Sequence, residues 1–339
     1  MTCKNCGSPL PENAKFCPEC GHPVETVVLL PPDHKPGPPR ATPWHSKGIL
    51  SPDLSPLTKG GVNVLIVLLL FILQAGLNLL FNALWFESDA GEPTWMVSQL
   101  VGMVPVLVLI VYIFLLDAKE HEPRRLLLKL FITEALVCLF VVGDVEEVLS
   151  DFFYTLCDYE ETTFYLLADN FFATALVEEL AKFIVLYWLT WRSPHFNWRF
   201  DGVVYAAVVA LGFAACENVF YIDAYGLSTA LGRALSAIPG HCADGILMGV
   251  FYGQAKVWFG RENGGRCRLC LLLAVLAPVL EHGFYDFMAG LETGWIDVFF
   301  ELYILTLNAV IFTAVWRQAQ RDEAVLIPQS ELPPVVPTV

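Results

Sequence analysis

Apolar runs of about 20 residues, the length a helix needs to cross a hydrocarbon core, recur along this chain between short polar stretches. They stand at 62–85, 96–116, 126–143, 163–190, 202–222, 240–258, 269–290 and 295–316. The pattern predicts an all-α fold, a polytopic membrane bundle of about eight transmembrane helices within residues 60–317. It breaks at both ends. Residues 1–23 are polar and cysteine-rich, residues 24–59 are rich in proline, and residues 318–339 read as a disordered tail.

Composition strengthens this picture. Of 339 residues, 55% are hydrophobic and 16% charged, with a mean hydropathy of +0.55, outside the usual range of soluble domains. No signal peptide is expected, because Met1 to Pro23 lacks an apolar core segment. The net charge of −15 matters less than where the basic residues lie, since topology follows Lys and Arg near the span ends. Lys47 and Lys59, Lys119 to Lys129, Arg192 and Arg199, Lys256 to Arg268, and Arg317 and Arg321 fall in alternate connections. The intervening loops are acidic and carry only Arg233. Both termini are therefore expected in the cytoplasm of a multi-pass membrane protein. No basic aromatic patch suggests nucleic acid.

"CKNCGSPLPENAKFCPECG" places Cys3, Cys6, Cys17 and Cys20 as two CxxC pairs. Each pair turns two thiolates toward one ion, which predicts a structural zinc ribbon with no open coordination position. Two disulfides would need an oxidising compartment, contrary to the deduced topology. The ribbon suits an adapter, a regulator or a site for a cytosolic partner. The following proline-rich residues predict an extended tether.

Ionisable groups inside spans are costly and mark sites or pathways. Span four carries Glu178, Glu179 and Lys182; Glu178 and Lys182 share a helical face and Glu179 lies about a quarter turn round. One carboxylate is expected to meet the lysine while the other reaches a shared cavity. Span five places Phe213, Glu217 and Tyr221 on one stripe, with Asn218 beside it as a candidate oxyanion donor. Span six offers His241, just past a Pro–Gly break, and Asp244. Span seven offers Glu281, His282 and Asp286, where Asp286 serves as a ligand or orients His282.

The deduced topology puts these groups in one layer, from mid-depth to the outer half of the membrane. Two histidines with several carboxylates form a ligand set for zinc or another divalent ion, which activates water for peptide hydrolysis beside a glutamate base. The same groups also suit a proton- or cation-coupled transporter, although no inverted hydropathy repeat is evident, or a helix-binding scaffold.

These motifs resemble the PrsW family of intramembrane proteases, related to the CAAX prenyl-protease and bacteriocin-immunity membrane proteins. The carriers of the resemblance are "EELAK" (Glu178–Lys182), "FAACENVFY" (Phe213–Tyr221) after Asp201 and Gly202, His241 with Gly249, and "HGFYD" (His282–Asp286). The resemblance implies a metal-dependent protease that cuts membrane-protein substrates, such as a membrane-spanning anti-sigma factor. It implies Glu178 or Glu179 as general base and Glu217, His241 and His282 as metal ligands. Lys182, Asn218, Tyr221, Asp244 and Asp286 would then support or tune the site. The prenyl proteases carry histidine where Glu217 stands.

Overall fold

The computed structural model describes residues 95–117, 120–291 and 294–325. The ribbon cysteines, the proline-rich tether, the first expected span and the end of the tail lie outside the described residues. Ten α-helices, two of the rods interrupted by π-helical segments, make up the described part.

Helix α1 (Trp95–Leu116) contains Pro105. Next comes a long rod: α2 (Arg124–Val137), a π segment (Cys138–Val142) and α3 (Gly143–Leu156). The sequence ends this span at 143, yet the helix continues into the acidic stretch. Its reason is amphipathicity. Val145, Val148, Phe152 and Leu156 recur at three- and four-residue spacing and stay exposed on one side, an arrangement a helix at a lipid boundary satisfies. Asp158 and Tyr159, with φ of 54° and 64°, then end the rod.

The second interrupted rod comprises α4 (Thr163–Ala168), a π segment (Asp169–Ala175) and α5 (Leu176–Thr190). It begins at Thr162, whose Oγ1 accepts a hydrogen bond from the Tyr165 amide at 3.1 Å. Helices α6 (Asp201–Tyr225), α7 (Leu227–Leu235), α8 (Ala237–Gly260), α9 (Gly264–Ala289) and α10 (Gly294–Gln320) complete the bundle. Gly226, at φ +80°, makes the corner between α6 and α7 that a side chain would strain. The Pro–Gly break expected before His241 is absent. Pro239 occupies the first turn of α8, where its missing N–H removes no helical bond, and the helix runs through it.

Among the described residues, six helical stretches are long and apolar enough to cross a membrane: 98–116, 124–156, 201–225, 232–260, 264–289 and 302–320. The 163–190 rod is long enough as well, but carries Asp169, Glu178, Glu179 and Lys182. The protein is thus a multi-pass integral membrane protein. Two helices form its centre: the apolar windows of 201–225 and 232–260 are 78% and 71% buried, against 22–33% for the other four.

Close approach of these two helices comes from small residues. Gly245, Gly249 and Gly253 recur every four residues along α8 and face α6. A Cβ on Gly249 would lie 2.4 Å from the Val203 Cα, and one on Gly245 would lie 2.6 Å from the Ala210 Cβ. Backbones meet there directly, which gives dispersion contact that lipid cannot supply.

At the end of the bundle holding the α1–α2 and α5–α6 connections, carboxylates are buried together. Asp117 and Glu122 are 4% and 3% exposed, and Asp201 is fully buried. Tyr205 donates its hydroxyl to Glu122, and Asp201 Oδ2 accepts the amides of Asn197 and Trp198 at 2.9 and 2.7 Å. Burial pushes the Glu122 carboxyl up to about 8, against the Tyr205 hydrogen bond that favours its ionised form. Burial, with Asp201 adding to it, also raises Asp117 well above the usual carboxylate range. The chain returns to this end after α10, where the Arg199 amide donates to the Glu323 carbonyl and the Val325 amide to the Asn197 carbonyl. Part of the segment expected to be disordered is therefore hydrogen-bonded.

Candidate metal centre

About 24 Å along α6 from Asp201, at 1.5 Å per residue, the polar groups of four helices meet. Helix α5 turns Glu178, Glu179 and Lys182 inward, at 4%, 0% and 0% exposure. The π segment immediately before them offsets the helical phase, as π turns commonly do beside functional groups. Lys182 Nζ donates to Glu178 Oε2 at 3.1 Å and to Glu179 Oε1 at 2.6 Å. The lysine therefore meets both carboxylates, where the sequence suggests one. Its ammonium also lies 4.0 Å from the Phe213 ring centre and 3.3 Å from His241 Nδ1.

Helix α9 brings His282 to the same point. Its Nδ1 is 2.9 Å from Glu179 Oε1, and its Nε2 is 3.2 Å from Asp286 Oδ2 and 3.8 Å from Glu178 Oε2. Helix α8 contributes His241, whose ring centre is 5.2 Å from that of His282. Asp244, 2% exposed, sits one turn of α8 further in, with Oδ2 4.0 Å from His282 Nδ1.

Ligand atoms from Glu178, Glu179, His241 and His282 all lie within 4.8 Å of one another. Zinc bonds to nitrogen and oxygen span about 2.0–2.2 Å, so a small contraction brings this set around one ion. Glu179 Oε2 is buried with no hydrogen-bond donor among the described residues, which leaves an anionic lone pair suited to a cation. Oxygen and imidazole donors fit zinc or a similar divalent metal. The residues present fit the group.

Glu217 lies outside that four-membered set. Its Oε2 is 2.8 Å from His241 Nε2 and paired with Arg233. Asn218 does not point its amide into the site: its Nδ2 donates to the Gly102 carbonyl at 3.1 Å, and it is fully buried. One of its two amide hydrogens is thereby engaged away from the cluster. Tyr221 is exposed at the outer edge, beneath the Arg233 guanidinium at 3.8 Å.

A cavity of about 460 Å³ opens onto the cluster. Glu178, His241, Asp244 and His282 line it, together with Glu146 of α3 and Arg233 of α7. Glu179 is behind this lining. Three ionisable groups escape sequence reasoning here: Glu146, Arg233 and Glu134. Arg233 leaves a signal, as the lone basic residue in otherwise acidic loops. Glu134 leaves none beyond an acid in an apolar run: it is fully buried on α2, with no donor to either carboxylate oxygen among the described residues.

The model of the PrsW family intramembrane metalloproteases matches residues 122–316, more than half of the chain. The chain belongs to the PrsW family. A zinc-ribbon domain model matches residues 2–24. Protease PrsW of Geobacillus kaustophilus is 30% identical over 234 residues, covering 69% of this chain and 95% of that protein. Protease PrsW of Oceanobacillus iheyensis is 34% identical over 187 residues, 55% and 80% of the two chains, and that of Bacillus subtilis 28% over 225 residues, 66% and 94%. No solved structure gives a significant match. The PrsW match holds the entire Glu/Glu/His/His cluster, so the chain is a PrsW-type metalloendopeptidase with an added ribbon.

Proposed function

We propose that this protease cuts membrane-protein substrates within the cavity, with Glu178 as general base and Glu179, His241 and His282 as the metal-holding residues. The observation that carries the division is the lining of the cavity. Glu178 faces it, whereas Glu179 stands behind, tied to Lys182 and His282. A base must reach the attacking water, and a ligand need not reach solvent.

A divalent ion held there supplies a polarised carbonyl and a water of lowered pKa. The protein's own groups do the rest. Glu178 Oε2 takes the proton of the water and can return it to the leaving amine. Lys182 holds the two glutamates at fixed separation and balances their charge in a site shielded from solvent. Asp286 stands behind His282, and Glu217 behind His241, each a carboxylate that fixes an imidazole ring. The scissile segment must unwind locally to expose an amide to these groups.

Alternating basic and acidic connections support eight spans with both termini in the cytoplasm and the cavity toward the outer half of the membrane. An outer-face substrate of the anti-sigma-factor kind suits that depth. The ribbon thiolates of Cys3, Cys6, Cys17 and Cys20 hold a structural zinc and present a cytosolic surface for a partner, remote in role from the chemistry. Sequencing the protein N-termini of membranes from cells making the chain, its Glu178→Gln variant or its His241→Ala variant tests the proposal. New termini within or beside membrane spans should appear with the natural chain alone. Identical termini in all three samples would overturn it.

A further inference from the structure

Arg233 is not among the family motifs, yet three residues of one motif converge on it. Its Nη2 pairs with Glu217 Oε2, its Nε donates to Asn218 Oδ1 at 3.3 Å, and its guanidinium lies 3.8 Å over the Tyr221 ring. Glu217, Asn218 and Tyr221 thus present an acid, an amide and a π face to one planar cation. Only arginine offers a fork and a flat surface together. Asn218 is itself anchored to the α1 backbone at Gly102, so the clamp has a rigid base.

The oxygen of Glu217 that receives Arg233 is also the one 2.8 Å from His241 Nε2. With Nε2 engaged, His241 is left to offer Nδ1, the nitrogen turned toward Lys182 and the glutamate pair. We propose that Arg233 is a positioning residue of the metal centre: it holds Glu217, and Glu217 fixes the His241 ring so that Nδ1 faces the ion. Without the cation, Glu217 would stand on a cavity wall beside Glu178 and Asp286, and mutual repulsion would move it away from His241. This inference rests on the reading of the cluster as a divalent-metal site.

The test is cobalt substitution of the full-length protein with chelator competition. Cobalt in the ribbon shows intense thiolate charge-transfer absorption, whereas cobalt on imidazole and carboxylate shows d–d bands alone, so the two sites are read separately. The natural chain should show the core bands and a His241→Ala/His282→Ala variant should lack them. No core bands in the natural chain would overturn the metal reading and the inference with it. Arg233→Gln should weaken core cobalt binding about 10–100-fold, the usual cost of losing a group behind a ligand, with the ribbon bands unchanged. Arg233→Lys should recover part of that loss, because an ammonium keeps the ion pair with Glu217 but not the fork. Tyr221→Leu, which leaves the ion pair intact, should give a smaller drop and serves if Arg233→Gln fails to fold. Natural affinity in Arg233→Gln, or equal losses in Gln and Lys variants that track lowered melting temperatures, would overturn the positioning role alone.

Discussion

His282 Nδ1 lies 2.9 Å from Glu179 Oε1, although 103 positions separate the two residues in the chain. This contact joins α9 to α5 and makes one site of two motifs. It depends on close packing beside it. A Cβ on Gly283 would lie 2.5 Å from Cδ1 of Phe171, in the π segment that precedes the glutamates. Asp286 Oδ2 lies 3.2 Å from Nε2 on the other side of the ring.

Asp286→Asn keeps the shape of that support and removes its charge. Core metal affinity is expected to fall about 10–100-fold with little change in folding. Equilibrium dialysis against buffered zinc measures it, and unchanged affinity would remove Asp286 from the site.

Lys182 is fully buried and bonded to two carboxylates. Lys182→Met leaves both acids buried without their cation, and breaking such a pair costs about 3–5 kcal/mol. Thermal unfolding in detergent should show a large drop. Adding Glu178→Gln and Glu179→Gln to Lys182→Met should restore most of the stability while the protein stays inactive. A Lys182→Met protein as stable as the natural one would contradict the charge balance described here.

Gly249 and Gly143 provide a matched pair. A methyl group on Gly249 meets the α6 backbone at 2.4 Å, whereas one on Gly143 meets nothing within 4 Å among the described residues. Gly249→Ala should destabilise by about 1–3 kcal/mol through overpacking. Gly143→Ala should be neutral or slightly stabilising, since alanine outranks glycine in a helix by roughly 0.5–1 kcal/mol. Melting curves of the two variants read the contrast, and equal effects would show that α6 and α8 do not pack backbone to backbone.

Glu122 gives the protein a pH dependence of definite sign. Its folded value, about 8, lies above the ordinary value of 4.5, so the folded state holds the extra proton between these limits. Its contribution to stability is present in full below the unfolded value and is lost as pH rises through about 8. Chemical unfolding between pH 5 and about 9 should show stability falling with pH, and Glu122→Gln should flatten that fall. A variant with the same slope would assign the proton to another group.

Much of this site is legible in the sequence because its chemistry is local in spacing. Glu178 and Lys182, and His282 and Asp286, stand four apart, and charges inside apolar spans draw notice. The all-α membrane fold follows from the apolar runs. What spacing cannot reveal is convergence between helices. That His282 meets Glu179, that Glu217 engages His241, and that Asn218 donates to Gly102 depend on how α5 meets α9, α6 meets α8 and α6 meets α1. The extension of the α2–α3 rod past Gly143 is hidden for another reason: charges in that stretch lower its mean hydropathy, while its period of three to four still specifies a helix.

Zinc stoichiometry by elemental analysis tests the central claim most directly. The comparison uses the purified full-length chain, a variant with Cys3, Cys6, Cys17 and Cys20 replaced by serine, and that variant carrying His241→Ala and His282→Ala as well. The expected contents are two zinc ions per chain, then one, then none. A variant without the four ribbon cysteines that folds but holds no metal, even after zinc and other divalent ions are supplied, would contradict a metal centre in the membrane core.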